Sequence, residues 1–299
     1  MRILLIASLV LIPLMTAATP NHRPVEATQT KSTPQPGVRQ SAPRHTPVNG
    51  GVAVLALPIG FDISTPVFYR NQPVWVGRIS SDNKAAPVAV VGFGLETEGE
   101  QQIMQRVNGE LQPLMTVTVA KRTYPEQRLR MKETKYVSPS KQQLERYSRE
   151  AKEQQAAYRV YRDEAGTDVW PIFRWPLVGR LSSPFGLQRF FNDEPRAPHV
   201  GLDIAGPTGA AVVAPADAVV VLTGDFFFNG RTVILDHGRG LFSMLCHFSE
   251  IAVKQGDAIK AGDLVGKVGA TGRATGPHLH WTVSLNDQRI DPSYLLPSD

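Results

Sequence analysis

The sequence predicts an all-β protein with a single interposed helix. Three observations carry that expectation. Short runs of β-favouring residues recur from residue 50 onward: Val52-Ala53-Val54, Val74-Trp75-Val76, Val88-Ala89-Val90 and Met115-Thr116-Val117-Thr118-Val119. Such period-two runs mark strands. Glycine and asparagine punctuate them, as at Asn108-Gly109, where a hairpin is expected to turn. Only residues 138 to 163 change to a helical period.

Taken in order, residues 1 to 18 read as an export signal. Arg2 gives a positive start, Ile3 to Met15 is almost wholly apolar, and Thr16-Ala17-Ala18 supplies small residues for cleavage. A helix over that apolar run spans only about 20 Å, short of the roughly 30 Å of a bilayer core, which favours a cleaved signal over a retained anchor. No cysteine follows the run, so a lipid-anchored form is not expected. The expected location is the periplasm or the outside of the cell. Residues 19 to 49 hold six prolines and no aromatic residue. Such a stretch buries too little surface to offset its ordering entropy, so it reads as a disordered linker. Residues 50 to 137 then form a small N-terminal antiparallel β domain with no chemistry visible in it.

The helix of residues 138 to 163 opens on a capping box, Ser140 with Gln143, after Pro139. Leu144, Tyr147, Ala151, Tyr158 and Tyr161 fall on one stripe, so the helix is expected to connect the two β regions and pack on one of them. It also explains the chain's charge. The whole sequence of 299 residues has a formal charge of +5, yet residues 121 to 162 alone carry 12 basic and 5 acidic side chains. Residues 163 to 299 carry 11 basic and 15 acidic ones. The basicity is therefore local, which suits a solvated helix face or an anionic polymer of the cell wall; no nucleic-acid partner is expected of an exported chain.

Residues 164 to 299 hold the chemistry. The single cysteine, Cys246, excludes a thiolate zinc cluster and a redox pair, so a metal site must use histidine and carboxylate. Five of the seven histidines, His199, His237, His247, His278 and His280, lie in this stretch. In His199-Val200-Gly201-Leu202-Asp203, alternation puts His199 and Asp203 opposite the apolar positions. Four extended residues span roughly 13 Å, too far for two ligands of one ion, so the chain must bend, and Gly201 permits it. In His278-Leu279-His280 the two imidazoles share a face at about 6.6 Å, and spacing does not decide which of them is a ligand. His247 belongs with them, while Cys246 beside it reads as a buried structural thiol and His237, ahead of a glycine turn, as structural. Two imidazoles and one carboxylate leave zinc an open position and the power to acidify a water near neutral pH. The remaining histidines are free for proton transfer.

These residues resemble the lysostaphin-type (LytM-like) zinc metallopeptidases. The likeness covers about residues 170 to 299 and rests on Leu181-Ser182-Ser183-Pro184-Phe185-Gly186, His199-Val200-Gly201-Leu202-Asp203, Val253-Lys254-Gln255-Gly256-Asp257 and Gly272-Arg273-Ala274-Thr275-Gly276-Pro277-His278-Leu279-His280. Residues 50 to 160 are similar to the accessory β domain that precedes the peptidase in Gram-negative homologues. The resemblance implies a C-terminal antiparallel β-sandwich or barrel-like peptidase domain holding one zinc ion per chain. It implies His199, Asp203 and His280 as zinc ligands and His247 and His278 as the catalytic pair. It departs in having Leu245-Cys246-His247-Phe248 where the family often has Tyr-x-His-Leu. The implied function is a zinc endopeptidase that hydrolyses peptide cross-links of peptidoglycan as a monomer, with envelope regulatory proteins as a further class of partner. Two other readings compete: a non-catalytic peptidoglycan-binding activator of an amidase, which relatives lacking ligands become, and a lipoyl-like carrier, which leaves the histidines unexplained.

Overall fold

A computed structural model describes residues 42–79, 86–130, 134–136, 138–164 and 167–297. The expected export signal and most of the proline-rich linker lie outside the described residues. The linker ends earlier than its composition suggests, because from Arg44 the chain is bonded to the folded part. The Arg44 N–H donates to Tyr294 O at 2.8 Å, Thr46 pairs with Val52, and Val48 with Ala120. Proline lacks only a donor, so Pro47 still accepts the Ala120 N–H at 2.9 Å.

The fold is all-β with one α-helix among the described residues. Val52–Ala56, Val88–Gly92 and Trp75–Gly77 form a three-stranded antiparallel sheet. Its near-continuous apolar runs follow from burial on both faces. Ala53, Val76, Ala89 and Val91 face a core shared with Ile103, Val117 and Val119, while Val52, Trp75 and Val90 join the larger core of the C-terminal region. The first of these faces is shared with a second sheet built on the hairpin Gly99–Val107/Glu110–Val119. Asn108 and Gly109 turn that hairpin, both at positive φ (52° and 87°), the conformation that the Asn-Gly pair favours.

Eight strands form the C-terminal sheet. Its main path runs Ala258–Ile259, Ala218–Phe226, Gly230–Gly238, Leu241–Phe248, His278–Leu285, Leu202–Ala205, Leu181–Ser183, and Gln288–Ile290 pairs onto His278–Leu285. One face of the two central strands presents Leu202, Ile204, Leu279, Trp281 and Val283 to the core. The other carries Asp203, His278 and His280, as alternation requires. The two regions are tied by backbone as well as by packing. Trp170 N–H donates to Arg78 O at 2.8 Å, and the Trp75 and Trp170 rings meet edge to face at 4.9 Å. The Asn286 side chain accepts from Gly92 N–H at 2.7 Å and donates to Gly92 O at 3.1 Å. A Cβ on Gly92 would press on Leu285 and Ile290, so this close approach requires glycine.

Two further segments bear on the site. Glu126–Leu129 pairs in parallel with Gln188–Phe191, which brings a strand from the N-terminal side into the peptidase-like region. The helix is shorter than its periodicity suggests, Lys141–Ala157, and both bonds of the Ser140/Gln143 capping box are formed. It buries none of its residues, and Leu144 and Tyr147 of the apolar stripe remain substantially exposed. Ring packing and polar bonds together hold it to the tip of the Ala218–Phe226/Gly230–Gly238 hairpin: Tyr147 meets Phe228 edge to face at 4.9 Å, and Tyr158 just past its end is buried with Leu222, Phe226 and Phe242. Arg146 donates to Asp225 O, Glu150 accepts the Phe227 N–H, and Gln154 accepts from Asn229. Part of the local basicity is neutralised internally: Arg128 and Arg130 reach Asp193, and Arg162 reaches the buried Asp236. No helix among the described residues is long and apolar enough to cross a membrane.

Candidate metal centre and catalytic site

Four of the five C-terminal histidines converge with Asp203, and His237 does not. The antiparallel register sets Asp203 opposite His280 and Ala205 opposite His278. His199 enters from the preceding loop, anchored by its N–H to Leu187 O (2.9 Å) and by Gly186 N–H to its own carbonyl (2.7 Å). The bend expected at Gly201 is present, and a second reason for glycine appears there. A Cβ would lie 2.6 Å from Trp281 O and 2.7 Å from the His280 ring, so the chain crosses His280 where only glycine fits.

At the centre, Asp203 Oδ1 lies 2.9 Å from His199 Nε2 and 2.7 Å from His280 Nδ1, and those two nitrogens are 3.0 Å apart. The second nitrogen of each ring is engaged elsewhere: His199 Nδ1–H donates to Pro184 O (2.8 Å), and His280 Nε2 is hydrogen-bonded to the Thr282 hydroxyl (2.8 Å). The Pro184 carbonyl leaves His199 Nε2 as an inward lone pair, and the Thr282 hydroxyl, as an acceptor, allows the same of His280 Nδ1. Three electron-pair donors at such separations repel unless a proton or a cation lies among them. Two imidazoles and a carboxylate in a tight triangle are the donor set that zinc accepts, so the residues fit the ion. Burial lowers His280 to about 4, only partly opposed by Asp203, so it is neutral at physiological pH as a ligand must be. Burial opposes ionisation of the Asp203 carboxyl, but the group is nonetheless held well below the usual carboxylate range and is ionised.

His247 and His278 stand beside this triangle, their rings 4.7 Å apart. Each has one nitrogen tied to backbone, His247 Nδ1–H to Thr271 O (2.8 Å) and His278 Nδ1–H to Gly276 O (2.9 Å). Their Nε2 atoms are thereby left as the available bases, and that of His278 lies 3.8 Å from Asp203 Oδ1. Burial, followed by the neighbouring His278 and His280, lowers His247 to about 3 and keeps it neutral. A β-bulge re-aims His247. Leu245 pairs with Val233 and Phe248 with Arg231, so two residues oppose one, and His247 takes φ 66°. Cys246 goes into the apolar cluster with Phe242 and Met244, its thiol pushed up to about 12 by burial, which fits an inert structural role.

His237 belongs to a separate buried network: its Nδ1–H donates to Asp217 O (2.8 Å), and Nε2 accepts from Ser243 Oγ (2.9 Å), which accepts from Trp281 Nε1 (3.1 Å). Burial depresses it to about 4. Protonation therefore favours the unfolded chain, where the ordinary value is near 6.5. This group's contribution is complete above pH 6.5 and is lost as pH falls toward 4, by up to about 3 kcal/mol. Melting of metal-stripped protein between pH 7.5 and 4.5 is expected to show a shallower acid-side loss in His237→Gln than in the unsubstituted chain.

Residues to which the sequence assigns no role stand directly behind the cluster. Arg189 Nη2 donates to Asp203 Oδ2 at 2.8 Å, and Thr282 and Pro184 fix the imidazoles. No spacing signal marks them.

Fold and site together define an all-β protein with a largely buried cluster of two histidines and one aspartate able to hold a metal ion, flanked by a histidine pair. Comparison with known proteins agrees. Residues 197–292 match the model of Peptidase family M23, and residues 45–122 match the Peptidase family M23 N-terminal domain. A crystal structure from Pseudomonas aeruginosa assigned to peptidase M23 is 40% identical, with a TM-score of 0.67 over 84% of this chain and 95% of that one. The chain belongs to peptidase family M23. Among curated proteins it is similar to the DD-carboxypeptidase/endopeptidase Mpg of Neisseria meningitidis (35% identical over 47% of this chain) and to the peptidoglycan DD-endopeptidase ShyA of Vibrio cholerae (36% over 44%). The chain spans about a third of the length of these two relatives (32% and 31%).

Proposed function

We propose that the protein is a zinc-dependent endopeptidase that hydrolyses peptide cross-links of bacterial peptidoglycan outside the cytoplasm, after export directed by residues 1 to 18. The observation that carries this reading is the division of labour among the converging histidines. Two turn lone pairs onto one carboxylate oxygen, while two others keep a free Nε2 beside them. The names of the Neisseria and Vibrio relatives support the choice of substrate.

In this reading His199, Asp203 and His280 hold the zinc. Bound there, the ion supplies a Lewis acid for the scissile carbonyl and lowers the pKa of water. The protein's own groups do the rest. The Pro184 carbonyl fixes the tautomer that presents His199 Nε2 inward, and the Thr282 hydroxyl, as an acceptor, allows the one that presents His280 Nδ1. His247 and His278 each have Nδ1–H locked to a carbonyl, so proton traffic falls to Nε2: it takes a proton from the attacking water and returns one to the leaving amine. As N–H donors the same atoms face the oxygen that gains negative charge, where prealigned donors are worth most. Zinc-loaded protein is expected to convert cross-linked muropeptide dimers to monomers, read by chromatography and mass. Unchanged dimers together with activation of an amidase would favour the non-catalytic reading instead.

A further inference from the structure

The strand Glu126–Leu129 lies between the two matched stretches, yet it reaches the centre in two hydrogen bonds. Gln127 stands opposite Arg189 in the parallel register, and Arg189 Nε donates to Gln127 Oε1 at 3.1 Å. The other end of the same guanidinium donates to Asp203 Oδ2 at 2.8 Å. Gln127 is itself fixed, its Nε2 donating to Ser183 Oγ at 3.0 Å, and Ser183 is the register partner of Asp203 on the edge strand. Three side-chain bonds and the Ser183/Asp203 strand pairing thus close a loop through Gln127, Arg189, Asp203 and Ser183. Both Arg189 and Asp203 side chains are largely buried (16% and 10% exposed), so water competes little for these bonds.

The two carboxylate oxygens of Asp203 are consequently divided. Oδ1 faces His199 and His280, and Oδ2 is taken by Arg189. We propose that Gln127 and Arg189 are positioning residues for the metal centre: the N-terminal-side strand holds Arg189, and Arg189 holds Asp203 so that a single oxygen is presented to the ion. This rests on the zinc reading above and extends it to a segment outside both family matches. Charge alone argues the other way, since a guanidinium beside a dication is repulsive. Its retention in the buried pair is explained if fixing the carboxylate outweighs that repulsion, as outer-shell partners of metal ligands do elsewhere.

The test is zinc affinity of the full chain, measured by competition with a chromophoric chelator and so without substrate. Arg189→Gln is expected to weaken zinc binding about 10- to 100-fold. Arg189→Lys, which keeps the charge but not the fork, should fall between. Gln127→Met should weaken it several-fold, whereas Gln127→Glu, which keeps the acceptor for Arg189, should restore it. Arg128→Gln serves as the control on the same strand, because Arg128 pairs with Glu126 and stacks on Phe190 away from this loop. Melting of each metal-stripped variant separates loss of the site from loss of the fold. In muropeptide assays with saturating zinc, kcat should fall in Arg189→Gln with KM little changed. Zinc affinity of Arg189→Gln within twofold of the unsubstituted chain, or tighter, overturns the proposal and leaves the peptidase reading intact. Failure of the unsubstituted chain to bind zinc overturns both. Zinc binding without cleavage overturns only the peptidase reading.

Discussion

Asp203→Asn is expected to lose zinc on dialysis and to reduce cross-link cleavage to background. The substitution keeps the shape of the side chain and removes the negative charge that the zinc ion gains from its carboxylate ligand. It also strips Arg189 of its only carboxylate partner among the described residues. Breaking a buried pair from one side typically costs about 3–5 kcal/mol, so metal-stripped Asp203→Asn should also melt well below metal-stripped parent. His199→Gln separates the two effects. It removes one imidazole ligand but spares the Asp203–Arg189 pair, so zinc retention should collapse while the metal-free melting point falls much less. Equal melting losses in the two variants would contradict the assignment of Arg189 as the counter-charge.

His247→Ala should behave in the opposite way: zinc retained at one equivalent, cleavage lost. Because His247 contributes no atom to the triangle of ligands, its removal should lower kcat by about 10²–10⁴-fold, the range for a positioned general acid–base, with KM nearly unchanged. The backbone adds a second readout. At φ 66° a residue with a Cβ pays of order 1–3 kcal/mol that glycine does not, so His247→Gly should be at least as stable as His247→Ala. The strain is held by the surrounding bulge, where His247 N–H donates to Asn229 O at 3.0 Å. Zinc loss in His247→Ala would place His247 among the ligands and refute this division.

Much of this site is legible along the chain because its candidate ligands sit in local patterns. His278 and His280 alternate along one strand, and Gly201 announces the bend between His199 and Asp203. Which of His278 and His280 faces Asp203 is a matter of register between strands some 75 residues apart, and no local pattern encodes that. The bulge at Cys246–His247 is hidden for a similar reason, since it depends on the partner strand Gly230–Gly238. Arg189 and Gln127 are invisible because parallel pairing joins segments about 60 residues apart. The Ser140/Gln143 capping box and the Asn108-Gly109 turn were readable as local geometry and form as read. The apolar stripe of the helix packs as expected at Tyr147, on the Phe228 ring, and at Tyr158, in a buried cluster with Phe242, while Leu144 on the same stripe stays substantially exposed. Proline content misplaced the end of the linker, since Pro47 can accept from Ala120.

In the proposed reading, one zinc ion held by His199, Asp203 and His280 makes this β scaffold a cross-link hydrolase. The most direct measurement is a zinc titration of the metal-stripped full chain, with dimeric muropeptide cleavage followed at each addition. Activity should rise from zero in proportion to added zinc and stop at one equivalent per chain. Cleavage that survives complete metal removal, or a dimer that stays uncut with one zinc bound, would contradict it.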